Sequence, residues 1–80
     1  EIRVGLAMGD VLSWEGDLFG PTVNLASRLV QHARPSTVLI GPNVAARLAD
    51  APGLSVRPLR RRVRFKGLPK TNIALLARAG

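Results

Sequence analysis

The sequence predicts an α+β sandwich in which a mostly antiparallel sheet is covered by helices. Three observations carry that prediction. Short apolar segments of period two are interspersed with two longer segments of period three to four. Both longer segments begin with proline directly after glycine, at Gly20-Pro21 and Gly41-Pro42. The predicted order is strand, strand, helix, strand, helix, strand, strand, strand, which lacks the regular alternation of a doubly wound fold. With 80 residues, 46% of them hydrophobic, the chain has material for at most one small domain.

Residues 2–8 alternate Ile2, Val4 and Leu6 and read as a strand ending at Gly9-Asp10. Val11 to Trp14 reads as a second strand completing a hairpin with the first, and Glu15-Gly16-Asp17 as a polar turn. From Pro21 to about Ala33, Val23, Ala26, Leu29, Val30 and Ala33 recur at helical spacing behind a proline suited to the first helical position. Pro35 ends this helix, and Thr37 to Ile40 is a short apolar run bounded by turn residues, hence a buried strand. Pro42 to Asp50 gives a second helix through Val44, Ala45, Leu48 and Ala49, closed by Ala51-Pro52-Gly53. Leu54 to Leu59, Arg61 to Lys66 and Asn72 to Ala77 read as three final strands.

Composition narrows the functional classes. Cysteine is absent and His32 is the single histidine, so neither a disulfide scaffold nor a zinc site accounts for the fold, and a cytoplasmic setting is expected. No apolar stretch approaches the roughly 18 residues needed to cross a bilayer, so no membrane contact is expected from this segment. There is no Gly-rich loop of the Walker or dinucleotide type. The formal charge is +7, and the positive excess is concentrated in Arg57, Arg60, Arg61, Arg62, Arg64, Lys66 and Lys70, whereas all acidic residues fall within residues 1–50. Phosphates are a natural counterpart for such a run, and a solvated strand face is the plainer one. A basic nucleic-acid module built on residues 57–70 would show steep salt dependence. The lack of aromatics interleaved with the arginines argues against strand stacking, and no specific nucleic acid is expected.

The polar constellation lies between Asp17 and Arg28. Asn24 and Arg28 stand four apart and project from the same helical face, about 6 Å from one another, so both can reach one ligand. Asp17 precedes the helix, where its carboxylate can cap the helix or accept from a ligand donor such as an exocyclic amine. A guanidinium at Arg28 offers a forked, permanently charged partner for phosphate oxygens. Asp10, after a strand and a glycine, reads as a turn residue, and one carboxylate is a poor magnesium site.

The segment Asp17-Leu18-Phe19-Gly20-Pro21-Thr22-Val23-Asn24-Leu25-Ala26-Ser27-Arg28 resembles the signature of class III adenylyl and guanylyl cyclases: an aspartate, a glycine three later, Val-Asn, small residues and an arginine. IRVGLAMG is similar to that family's preceding strand and glycine, ARPSTVLIG to its helix end and next strand, and RFKGLP to its late Lys-Gly turn. The resemblance covers nearly all of residues 1–80 and identifies them with the C-terminal half of one catalytic domain, built on a ferredoxin-like core. It implies that Asp17 accepts from the adenine amine, Asn24 orients the ribose, and Arg28 stabilises phosphate charge in the transition state. Lys66 is implied to approach the triphosphate, with Arg64 or Lys70 as substitutes. The implied reaction is attack of the ribose 3′ oxygen on the α-phosphorus of ATP, giving 3′,5′-cyclic AMP and pyrophosphate. The family's metal aspartates and purine-selecting lysine belong to strands before Glu1, so Mg²⁺ or Mn²⁺ is expected on ligands outside this chain. A head-to-tail homodimer partner or a complementary cyclase half is expected to complete the site, and residues 1–80 alone to be inactive. A cyclase-like module that has lost turnover and serves regulation or dimerisation is the alternative.

Overall fold

The computed structural model describes residues 2–79. Its elements are β1 (Arg3–Leu6), β2 (Leu12–Trp14), β3 (Asp17–Phe19), α1 (Pro21–His32), β4 (Thr37–Ile40), α2 (Pro42–Leu48), β5 (Leu54–Pro58) and β6 (Ala74–Arg78). β1, β4, β6 and β5 form one sheet in that order. β1 runs parallel to β4, while the β4–β6 and β6–β5 pairs are antiparallel. The α+β class and the antiparallel bias of the sheet are therefore as the sequence predicts.

Two sequence expectations are corrected. The first hairpin does not join β1 to the strand ending at Trp14. Instead β2 pairs with β3 in a separate two-stranded sheet, with Trp14 opposite Asp17. The reversal falls on Glu15 and Gly16, both at positive φ (50° and 83°), a two-residue connection whose twist suits a tight hairpin. β1 is thereby freed to take β4 as its parallel neighbour, which requires the α1 crossover. The expected strand from Arg61 to Lys66 also does not form. Only Val63 makes a bridge, to Thr71, so residues 59–73 leave the sheet after β5 and return to it as a closed lobe.

Register explains the layering. Gly5, Leu39 and Leu75 stand side by side across β1, β4 and β6. Neighbours in register share a face, and on this face lies α1, whose Leu29 clusters with its C-cap residue Ala33 and with Leu39, Phe65 and Ile73. Gly5 is required by that contact: a Cβ there would lie 2.6 Å from the Val30 backbone nitrogen and 2.7 Å from Leu29 Cβ. The helix consequently sits against bare backbone. The opposite face carries the register row Val4, Val38, Leu76 and Val56, all half-buried.

Further ties set the start of α1. The Thr22 hydroxyl donates to the Asp10 carbonyl at 2.9 Å, and the Asn43 amide donates to the Met8 carbonyl at 3.0 Å, so the loop after β1 is held by both helices. Asp10 thus lies in the loop between β1 and β2, where its backbone carbonyl anchors the start of α1.

Candidate functional site

An open cleft of about 610 Å³ lies at the N-terminal end of α1, lined by Leu18 and Phe19 of β3, by Gly20, Pro21, Val23, Asn24 and Ser27, and by Gly67 and Leu68 of the lobe. Three pieces of chain far apart in sequence meet there. α1 supplies the rigid wall, because Leu29 on its reverse side is wholly buried and fixes the helix rotation. Asn24 is exposed on the outward side, and its Nδ2 lies 3.7 Å from where a Cβ on Gly67 would be. The signature helix and the Lys-Gly turn are therefore adjacent across the cleft.

Gly20 determines how the chain enters this helix. It is the N-cap, at φ 126° and ψ 173°, and its side-chain-free position makes no cap hydrogen bond. That conformation belongs almost only to glycine. Pro21 follows at the first helical position, and the first turn carries no acidic residue. The positive end of the helix dipole thus borders the cleft without an internal counter-charge, an arrangement favourable to an anion.

Of the residues the sequence singles out, Asn24 lines the cleft directly. Arg28 is half-buried one turn further along, and its guanidinium donates to Gln31 Oε1 at 3.4 Å, a long contact on the helix surface. A bond of that length holds the side chain weakly, and Arg28 does not line the cleft. Lys66 is exposed and immediately precedes Gly67, which stands at φ 80° in the turn. Arg64 and Lys70 are exposed too, and none of the three lines the cleft. Asp17 is the residue whose placement differs most from the sequence reading. It is a strand residue of β3, exposed and opposite Trp14, and it does not cap α1. Its neighbours Leu18 and Phe19 line the cleft while Asp17 lies at the turn end of the hairpin.

Ser27 was not singled out from sequence, yet it lines the cleft beside Asn24. Its spacing of three from Asn24 was the available signal. Among the described residues no group of three His, Asp or Glu side chains comes together that could hold a metal ion. No described helix is long and apolar enough to cross a membrane.

Residues 1–76 match the model for the adenylate and guanylate cyclase catalytic domain. The chain belongs to this family of nucleotide cyclase catalytic domains. Among curated relatives, an uncharacterized protein of Mycobacterium tuberculosis is 46% identical over 59 residues, covering 74% of this chain and 16% of that protein. A pH-sensitive adenylate cyclase of the same species is 47% identical over 51 residues, covering 64% of this chain and 13% of that protein. An adenylate cyclase of Streptomyces coelicolor is 49% identical over 55 residues, covering 65% of this chain and 14% of that protein. The chain thus spans about a seventh of the length of such relatives. The same fold is found in a crystal structure of an adenylate/guanylate cyclase/hydrolase from Silicibacter pomeroyi, with a TM-score of 0.73 and 24% identity, covering 85% of this chain and 40% of that one.

Proposed function

We propose that residues 1–80 are the C-terminal half of an adenylate cyclase catalytic domain and supply the base, ribose and transition-state side of its ATP site. The observation that carries this reading is the approach of Asn24 on α1 to Gly67 of the Lys-Gly turn across one open cleft. Relatives named adenylate cyclase support ATP as the substrate.

In this reading Asn24 hydrogen-bonds the ribose and holds its 3′ oxygen in line with the α-phosphorus, so that part of the barrier is met by alignment made on binding. Arg28 rotates from Gln31 onto the phosphates, where a fixed positive charge stabilises the negative charge that moves toward the departing pyrophosphate. Lys66 meets the distal phosphates from the opposite wall. Asp17 accepts from the adenine amine, which requires the β2–β3 hairpin to lie against the nucleotide. Among the described residues no three acidic or histidine side chains come together, so these residues do not fit a metal site. The required divalent cation, Mg²⁺ or Mn²⁺, is assigned to carboxylates of the complementary half, and its Lewis-acid chemistry with it. The half-buried row Val4, Val38, Leu76 and Val56 offers that half an apolar face on which to pack. Assembly is head-to-tail with a second catalytic domain, residues 1–80 alone are inactive, and the compartment is cytoplasmic.

Arg28→Ala in the intact catalytic domain is expected to lower turnover on the order of 100-fold or more while leaving the dimer intact. Cyclic AMP production measured alongside sedimentation tests this, and turnover within a few-fold of the unaltered enzyme removes Arg28 from the mechanism.

A further inference from the structure

The lobe of residues 59–73 is pinned where it leaves the sheet and again midway. The Leu59 amide donates to the Ile73 carbonyl at 2.9 Å, and Val63 and Thr71 exchange a reciprocal pair of backbone bonds at 2.8 Å. A third bond, from the Leu68 amide to the Phe65 carbonyl at 3.1 Å, closes the turn at its tip. Within this frame the side chains alternate. Phe65 is buried against the core and Val63 packs half-buried beside it, while Arg62, Arg64 and Lys66 between and beyond them are all exposed. Phe65 is further fixed by an edge-on contact with His32, ring centroids 5.5 Å apart.

Alternating residues of an extended segment repeat at about 6.5 Å, so Arg62 and Arg64 flank the Val63 bridge about that far apart as a short outward track, with Lys66 beyond them in the turn at the tip. The track leads toward the cleft, because Gly67 and Leu68, which follow Lys66, are part of the cleft lining. No acidic residue occurs after Asp50, so nothing on the lobe itself neutralises it. A solvated strand face ordinarily mixes both signs of charge, and a single-sign row ending at an anion-binding cleft creates a directed field.

We propose that Arg62 and Arg64 act as an electrostatic guide that accelerates capture of the polyphosphate chain of an incoming nucleoside triphosphate and hands it to the cleft at Lys66. The inference rests on the nucleotide-cyclase reading of that cleft and extends it from binding to arrival. Neither arginine lines the cleft, so their influence is through space. It falls off over a Debye length, about 10 Å at 0.1 M salt, so the two arginines act together only at short range from the cleft mouth. The guide is therefore active at low ionic strength and largely silent at high.

The test is stopped-flow association of a fluorescent, non-cyclisable ATP analogue with the intact catalytic domain, comparing the unaltered protein with the Arg62→Gln/Arg64→Gln double variant. At about 20 mM salt the variant is expected to associate roughly three- to tenfold more slowly. By about 0.5 M the two rates are expected to converge, with dissociation changing less than twofold throughout. The Arg62→Lys/Arg64→Lys variant, which keeps the charge, is expected to associate at the unaltered rate. Inorganic tripolyphosphate added as competitor is expected to slow capture by the unaltered protein more than by the glutamine variant, whereas adenosine is expected to do neither. Equal association rates at low salt, or a glutamine variant whose deficit persists at 0.5 M, overturn the guide while leaving the cyclase reading in place. If the unaltered domain neither binds the analogue nor cyclises ATP, the cyclase reading and the guide fail together. Should the double variant lose retention on duplex DNA or on anionic vesicles with its nucleotide association unchanged, the track belongs to that partner and the proposal is wrong.

Discussion

α1 and the β2–β3 hairpin both contribute residues to the cleft, yet they are held in opposite ways. α1 buries Leu29 and, at its C-cap, Ala33, rests on the bare backbone of Gly5, and is tied at its start through Thr22. Its outward residues Asn24 and Ser27 therefore inherit a position from the core behind them. The hairpin buries nothing: Leu12 and Trp14 are each 63% exposed, Leu18 56% and Phe19 48%. Such a concentration of exposed large apolar side chains on a two-stranded ribbon has little stability of its own. The difference teaches that the core of this chain positions Asn24 and Ser27, whereas Asp17 stands on a ribbon without a buried side chain. In the proposed reading the ribose contact is preorganised, Arg28 reorients on binding, and the base contact at Asp17 is set when the hairpin is covered.

That comparison can be broken at its strongest point first. Leu29→Ala removes a fully buried side chain behind the site and is expected to cost about 2–5 kcal/mol, read as a lowered unfolding midpoint of the intact domain. A loss below about 1 kcal/mol would mean that α1 is not anchored as described. Gly20→Ala comes next, because alanine at φ 126° is strained by about 1–3 kcal/mol. Its unfolding midpoint should fall, and a tilt in the entry to α1 should raise the KM for ATP as well. The smallest effect on stability is expected at the hairpin. Asp17→Ala touches an exposed strand end and should change stability by less than about 0.5 kcal/mol, while eroding the preference for ATP over GTP. Unchanged nucleotide preference would remove Asp17 from the base contact.

Much of the scaffold was legible because it is written in local periodicity. The strand Thr37–Ile40 was read with its observed bounds, and α1 ends at His32, one residue before the expected Ala33. Pairing was less legible, because it is settled by distant partners. An apolar run such as Val4 to Leu6 carries no mark of whether it turns back on the next strand or waits for a parallel one beyond a helix. Glu15-Gly16-Asp17 reads as a polar turn in the sequence, and the positive φ values of Glu15 and Gly16 make it the turn of a hairpin of its own. The basic segment around Val63 alternates like a strand, yet its hydrogen bonds go to Thr71 within its own lobe rather than to the sheet. In the site, the spacing of four between Asn24 and Arg28 predicts a shared face, yet Asn24 lines the cleft and Arg28 does not. The approach of Asn24 to Gly67 does not follow from spacing, since that contact exists only once the lobe folds back over α1.

The central claim is that α1 and the Lys-Gly turn grip one nucleotide between them. A crystal structure of the intact catalytic domain with a non-cyclisable ATP analogue tests it most directly. The account predicts the ribose within hydrogen-bonding distance of Asn24, the phosphates between Lys66 and an Arg28 swung away from Gln31, and the base against the β2–β3 hairpin. Nucleotide bound elsewhere, with Asn24 and Gly67 still facing an empty cleft, would contradict it.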